Sequence, residues 1–355
     1  MSASIFQEKN SDNFSQVKLS LHNFLPEEIA KEFSLEKKFI AEQIFSWLSK
    51  GVKNFSEMTN VSKELQKKLS DRAEIFSSKV IGKFVDADKT AKLQIQTNDG
   101  NIVEAVLLVD KMERKTACVS SQAGCAMACA FCKTGTLNLA RNLTTAEIVE
   151  QFLFLENEFG KLSNIVFMGM GEPLANLSNV QKAIRILTHE KGRALSLRRI
   201  VISTVGLVSM IERLTEEGPF VRLALSLVTA DEKTREKLLP QAKTNSLKDL
   251  ERALFAYQKK SGRRISLEAV LLSGVNTNEM HANKMIDFAK RLSAHINLIP
   301  WNKVSGLPFT SPSETEIRAF QSILEKAHCN VTVRMHRGEN ILGACGQLGK
   351  TKNVK

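Results

Sequence analysis

The chain has 355 residues, 43% of them hydrophobic, with 50 Lys and Arg against 38 Asp and Glu and a net charge of +12. That length and apolar content support one large α/β domain with a smaller appendage and exclude a disordered or fibrous chain. No apolar run reaches the ~18 residues of a membrane span and the N-terminus lacks a basic-then-apolar leader, so a cytoplasmic protein with no membrane contact is expected.

Residues 1–16 are polar and read as a frayed end. From Leu35 to Gly51, the residues Ile40, Ile44 and Trp47 or Leu48 share one helical face, and Gly51 is placed to stop the helix. Residues 56–76 read as one or two further short helices. Lys37, Lys38, Lys50, Lys53, Lys63, Lys67 and Lys68 decorate this small unit. They suit a phosphate backbone and equally a plain solvated face. The excess of positive charge points the same way, to an RNA or DNA partner or to a basic solubilising surface. One Tyr and two Trp leave no extended platform for stacking bases.

Between Val80 and Val109 the pattern changes to alternation, with strands expected around 91–96 and 103–108. Glu104 lies within the second of these, where the plain reading is a solvent-facing carboxylate. After Cys118, short apolar strands alternate with amphipathic helices, the pattern of a parallel sheet. Six strands are expected, at 117–120, 164–168, 199–203, 221–227, 265–271 and 295–299. Helix starts are marked by Thr144 with Glu147 and by Ser313 with Glu316, and a core stripe by Val180, Ala183, Ile184 and Leu187. Six units are too few for a closed eight-stranded barrel. The expected fold is a partial (β/α)6 barrel over 117–348, preceded by a small helical domain (1–80) and β strands (81–116), and followed by a short basic tail (349–355).

In such a sheet the loops after the strand C-terminal ends hold the active site. The first carries Cys125, Cys129 and Cys132 between Gly124 and Gly135. Thiols at this spacing suit an iron–sulfur cluster or zinc, and three of them are one short of a closed four-ligand site. The open readings are a four-iron cluster with one iron free for chemistry, zinc with a remote fourth ligand, or buried thiols. The second loop holds Gly169, Gly171 and Glu172. It lacks the third glycine of a dinucleotide fingerprint, while its glycines suit close approach to a ligand and Glu172 suits an ammonium group. Ser203, Ser226, Leu227, Val228 and Asn302 end later strands. Cys345, between small residues on a loop after the last strand, is expected to be accessible and mobile, and Cys118 is a second candidate reactive thiol. Cys329 reads as structural.

Taken together, these segments resemble the radical S-adenosylmethionine enzymes that methylate adenine in RNA, the RlmN and Cfr family. The resemblance rests on residues 118–125, 141–148, 168–173, 297–302 and 343–348 and covers nearly the whole chain. It implies a [4Fe-4S] cluster on Cys125, Cys129 and Cys132, whose open iron chelates S-adenosyl-L-methionine. Gly171, Glu172, Ser203, Ser226, Leu227, Val228 and Asn302 are the implied binding positions for that molecule. It further implies that Cys345 accepts a methyl group, that a 5′-deoxyadenosyl radical then activates this methyl, and that the resulting radical adds to the ring. Cys118 is the implied resolving thiol, ending as a disulfide with Cys345, and Glu104 the implied proton acceptor. Two departures stand out: Val228 replaces an expected His, and residues 239–243 replace a more usual Pro-Ile-Asn segment.

Glu172-Pro173 and Ile299-Pro300-Trp301 lean to the RlmN branch. The expectation is therefore methylation at adenine C2 of 23S rRNA and of tRNA beside the anticodon, by a monomer served by an electron donor such as flavodoxin or ferredoxin. C8 methylation and a zinc-bearing, non-catalytic RNA-binding protein are the alternatives.

Overall fold

The computed structural model describes residues 18–334 and 337–349; the expected frayed end and all of the expected tail beyond Gly349 lie outside them. Strand β1 (Leu19–Ser20) leads to helices α1 (Pro26–Glu32), α2 (Lys38–Leu48) and α3 (Lys63–Arg72), and β2 (Ala73–Glu74) returns to pair with β1. Ile44, Phe45 and Leu48 of α2 are buried and Trp47 packs against them, as the stripe requires. Next come β3 (Ser78–Val85), β4 (Ala91–Thr97), β5 (Ile102–Val109) and β6 (Lys115–Cys118). A small antiparallel pair, β7 (Gln122–Ala123) and β8 (Arg141–Asn142), encloses the cysteine loop.

The remaining elements alternate. They are α4 (Thr145–Phe159), β9 (Asn164–Phe167), α5 (Leu177–Thr188), β10 (Ile200–Thr204), α6 (Val208–Glu217) and β11 (Arg222–Ser226). Helices α7 (Glu232–Leu238) and α8 (Leu247–Ser261) follow, then β12 (Ser266–Leu271), α9 (Glu279–Arg291), β13 (His295–Pro300), α10 (Glu314–Lys326) and β14 (Asn330–Val333). Both expected capping boxes are present, at Thr144 and Ser313.

One ten-stranded sheet runs β14-β13-β12-β11-β10-β9-β6-β5-β4-β3. From β6 to β14 neighbours are parallel, and from β6 back to β3 they are antiparallel. The six expected strands are all found, and β14 adds a seventh parallel one. Because β14 and β3 are opposite edges that do not pair, the sheet is an open, partial barrel. Ile165 and Phe167, Ile200 and Ile202, and Leu223 and Leu225 occupy alternate positions of β9, β10 and β11 and are buried on one face of the sheet.

Helix α4 joins the small domain to this sheet, and residues 145–153 are buried all round. Its Glu150 carboxylate is fully buried and accepts hydrogen bonds from Ser20 Oγ (3.2 Å), from the Ser77 amide and hydroxyl (both 2.8 Å) and from Ser78 Oγ. Burial pushes this carboxyl up, and the serine bonds pull it back down. These serines flank the helical unit, so this carboxylate links that unit to the main domain, as do the Lys182–Glu28 ion pair (2.8 Å) and the bond from Asn157 Nδ2 to Gly51 O (2.9 Å). Glu150→Ala leaves the serine donors without an acceptor, which costs about 1–3 kcal/mol. Urea denaturation is expected to show a lowered midpoint, with proteolysis appearing first around residues 73–78.

Candidate active site

The cysteine loop leaves the C-terminal end of β6 and is held by the backbone. Ala130 N–H donates to Leu238 O (2.9 Å) at the end of α7, and Cys132 N–H to Cys129 O (3.2 Å). Gly135 is required at the exit, since a Cβ there would sit 2.6 Å from Cys129 O. The three thiols face one pocket of about 950 Å³, together with Met127, Phe131 and Thr134. Burial pushes Cys125 up to about 11 and raises Cys129 and Cys132 as well, with mutual repulsion adding at Cys129. Thiols crowded this way ionise when a cationic centre joins them. Three thiols on one loop, facing a common pocket, are a donor set that fits an iron–sulfur cluster.

The opposite wall comes from the ends of β9, β10, β11 and β13. It includes Gly171, Glu172, Ser203, Thr204, Ser226, Pro300, Trp301 and Asn302. Glu172 is buried and aimed by its own turn and by the β10 exit: Oε1 accepts from Leu174 N–H (3.0 Å) and Oε2 from Val205 N–H (2.9 Å). Burial pushes its carboxyl up to about 7 against those bonds. The turn is located by Gln122, whose Oε1 accepts from Glu172 N–H (2.9 Å) and whose Nε2 donates to Asn142 Oδ1 (2.7 Å). The two glycines expected to admit a ligand also admit protein. A Cβ at Gly169 would strike Val119 and Ser120, and one at Gly171, with φ +95°, would lie 2.5 Å from Gln122 Cβ.

The C-terminal loop closes the third side. Lys133 N–H donates to Gly346 O (2.7 Å), Thr134 Oγ1 to Leu348 O (2.7 Å), Asn302 Nδ2 to Cys345 O (3.0 Å) and Gln347 Nε2 to Lys303 O (3.0 Å). Cys345 is half-buried, and its loop is stitched on both flanks by these bonds. It lines the large pocket and also a second one of about 500 Å³, where Cys118, Val106, Leu108, Arg334 and Arg337 face it. Met168, Ile299, Pro300, Asn302, Arg334 and Cys345 belong to both, so the two pockets meet there. Burial pushes Cys118 up to about 12, the Cys345 side adds to this, and Arg334 opposes it.

Glu104 departs from its plain reading as a solvent-facing carboxylate. It is 1% exposed, and its Oε1 pairs with Lys92 Nζ at 3.1 Å while its Oε2 accepts from Gly349 N–H (2.8 Å). Alternation along β5 puts it on the same face as Val106 and Leu108, beside the smaller pocket without lining it. Leu227 and Val228 line neither pocket. Val228 packs instead in an apolar cluster with Phe131, Leu238, Leu239 and Leu272, at φ +62°. Its N–H donates to Glu268 O (3.1 Å) and its carbonyl accepts from Asn276 Nδ2 (3.0 Å), which holds a β-branched residue in a conformation it rarely adopts.

Sequence reasoning missed Arg334 and Glu268, which both line the large pocket. Each had a signal: a cation one residue past the Val331-Thr332-Val333 alternation, and a carboxylate inside an apolar strand. Glu268, raised by burial, accepts from Asn297 Nδ2 (2.7 Å), and the Arg334 cation pulls it back down.

Two family models match the chain: the Ribosomal RNA large subunit methyltransferase N-terminal domain over residues 21–75, and the Radical SAM superfamily over residues 119–285. A probable dual-specificity RNA methyltransferase RlmN of Treponema denticola is 53% identical over 94% of this chain and 96% of its own. The dual-specificity RNA methyltransferase RlmN 2 of Myxococcus xanthus is 41% identical, covering 93% and 88%. Among solved structures, a radical SAM methyltransferase from Sphaerobacter thermophilus superposes with a TM-score of 0.89 at 36% identity, covering 93% of this chain and 99% of that one. With three thiols at the first parallel strand end, a buried carboxylate at the second and these relatives along nearly its full length, the chain belongs to the RlmN family of radical SAM RNA methyltransferases.

Proposed function

We propose that this protein methylates C2 of adenine in 23S rRNA and in tRNA, by way of a methyl group carried on Cys345. The observation that carries the reading is the position of Cys345 on the wall shared by two pockets, one lined by three thiols and Glu172, the other by Cys118. When bound, the [4Fe-4S] cluster supplies one electron and S-adenosyl-L-methionine supplies the methyl group and a carbon radical. Adenine C2 is an electrophilic carbon that cannot attack a sulfonium, so a protein sulfur must take the methyl first.

Cys125, Cys129 and Cys132 hold the cluster, and Glu172 accepts the ammonium of the sulfonium amino acid. Ser203 and Ser226, whose hydroxyls lie 3.5 Å apart, and Asn302 line the rest of its pocket. Leu227 and Val228 shape that wall from behind. Cys345 is the nucleophile toward the methyl and the arm that presents it to RNA. Cys118, across the smaller pocket, forms the disulfide that frees the product, and Glu104 takes the proton lost from the ring. The small helical domain, with its lysines, holds RNA. No helix among the described residues is long and apolar enough to cross a membrane, and the assigned place of action is the cytoplasm, with flavodoxin or ferredoxin as the electron donor.

Mass spectrometry of digested RNA tests this reading directly. The expected product co-elutes with 2-methyladenosine; co-elution with the 8-methyl standard replaces the reading by C8 chemistry, and a colourless protein with stoichiometric zinc and no iron ends it. Cys345→Ala should abolish product, and Cys118→Ala should accumulate RNA covalently attached to the protein.

The ionisation of Glu172 sets a pH dependence. Its carboxyl is raised to about 7, so below that pH the free enzyme holds it protonated, and binding an ammonium group must expel that proton. Affinity for S-adenosyl-L-methionine should then fall by about tenfold per pH unit below 7, and Glu172→Gln should flatten the profile.

Tests of Glu104 carry a structural cost, because its removal strands the Lys92 ammonium, which is only 3% exposed. Glu104→Gln is expected to lose about 3–5 kcal/mol of stability. The double variant Lys92→Met, Glu104→Gln should regain most of that stability in urea denaturation while remaining slow in product release, separating the structural role from proton acceptance.

A further inference from the structure

The largest fully buried side chain in the described structure is an arginine, Arg235 of α7, at 1% exposure. Its neighbours Glu232, Lys233, Glu236 and Lys237 are exposed, so it alone of this charged run turns inward. There it has no carboxylate partner among the described residues. Asp231, which caps the same helix, pairs with Lys284 at 2.5 Å, and Glu232 lies on the exposed side. Arg235 Nη2 donates to Val205 O (2.8 Å), Nη1 reaches Asn245 O (3.4 Å), and Nε is buried without a hydrogen-bond partner. A guanidinium buried behind neutral carbonyls alone is costly, and such a charge persists where it faces an opposite one.

The backbone puts Arg235 beside the cysteine loop: α7 ends one turn later at Leu238, whose carbonyl accepts from the N–H of Ala130, the residue after Cys129 (2.9 Å). Burial pushes Arg235 down to about 10, and the Cys129 and Glu232 sides pull it back up. The same guanidinium also grips Val205, whose N–H holds Glu172 Oε2. Arg235 therefore stands behind both anionic walls of the large pocket without lining it.

We propose that Arg235 is the buried counter-ion of the thiolate-held cluster, and that its charge raises the reduction potential of that cluster. The inference rests on the proposed assignment of Cys125, Cys129 and Cys132 as cluster ligands. Each added electron makes a thiolate-bound centre more negative, so a fixed cation in low dielectric favours the reduced form. Arg235 is a positioning residue: it acts through the cysteine loop and the Val205 turn, and touches no reacting atom.

The test compares the anaerobically reconstituted full chain with its Arg235→Gln and Arg235→Lys variants. Iron content and circular dichroism establish loading and folding. A dye-mediated dithionite titration read by electron paramagnetic resonance, without S-adenosyl-L-methionine, then gives the midpoint potential. Arg235→Gln should lower the equilibrium constant for reduction about tenfold, a shift of ~59 mV to more negative potential, while Arg235→Lys stays near the parent. A Gln variant that folds but loses iron, beside a Lys variant that keeps it, supports the same role. The proposal is overturned if the Gln variant holds its full iron at the parent potential, or if Lys falls as far as Gln, since charge is then not the cause. A parent chain that takes up no iron rejects the cluster assignment itself, which is a different result from either.

Discussion

Everything at the active site depends on seven strands running in the same direction. Parallel pairing from β6 to β14 brings all their carboxyl ends to one edge, so residues far apart in sequence, from Cys125 to Cys345, open onto adjoining pockets. The antiparallel strands β3, β4 and β5 extend the sheet from the β6 side. They contribute Val106 and Leu108 to the smaller pocket and bury the Lys92–Glu104 pair. The sheet does not close between β14 and β3; the segment after β14 reaches the β3–β4 turn instead, where Gly338 N–H donates to Asp88 Oδ2 (3.0 Å) and Asn340 Nδ2 to Asp86 Oδ1 (3.0 Å).

The C-terminal loop converts this edge into a closed site. Its bonds run to the cysteine loop at Lys133 and Thr134, to the β13 exit at Asn302 and Lys303, and to β5 at Glu104. Three separate structural units thus register on seven residues, 343–349. Trp301 strengthens the same corner by donating from Nε1 to Phe131 O at 2.8 Å. A thiol carried by such a loop is presented at a fixed place, and a methyl on its sulfur would project toward either pocket with a rotation about the side chain alone.

The positions of the parallel strands and most of the residues that line the pockets were legible because they rest on local signals. Apolar runs of strand length, capping boxes at Thr144 and Ser313, and glycine-bounded cysteines all survive into the structure unchanged. What was not legible depends on tertiary burial. Glu104 reads as a solvent-facing strand residue until Lys92 and the Gly349 amide cover it. Leu227 and Val228 follow Ser226 by one and two positions, and the strand end turns Leu227 into the main core and Val228 into the apolar cluster with Phe131, a change of direction no periodicity records. Arg235 sits in a run of charges indistinguishable from a solvated helix face.

The polar groups of this site are buried before any ligand arrives, which explains their unusual environments. Glu172 is held by two amides yet remains a weak acid, Arg334 lies between Cys118, Cys345 and Glu268, and Arg235 has carbonyls in place of an anion. Each is a cost to folding, and each is oriented by bonds that leave no freedom to rearrange. Charge fixed in advance is worth most where chemistry creates or moves charge in a site shielded from water. The steps proposed for this site, reduction of a thiolate-bound centre, methyl transfer from a sulfonium to sulfur and release of a proton, all do so. The instability built into this pocket is the counterpart of the electrostatic work proposed for it.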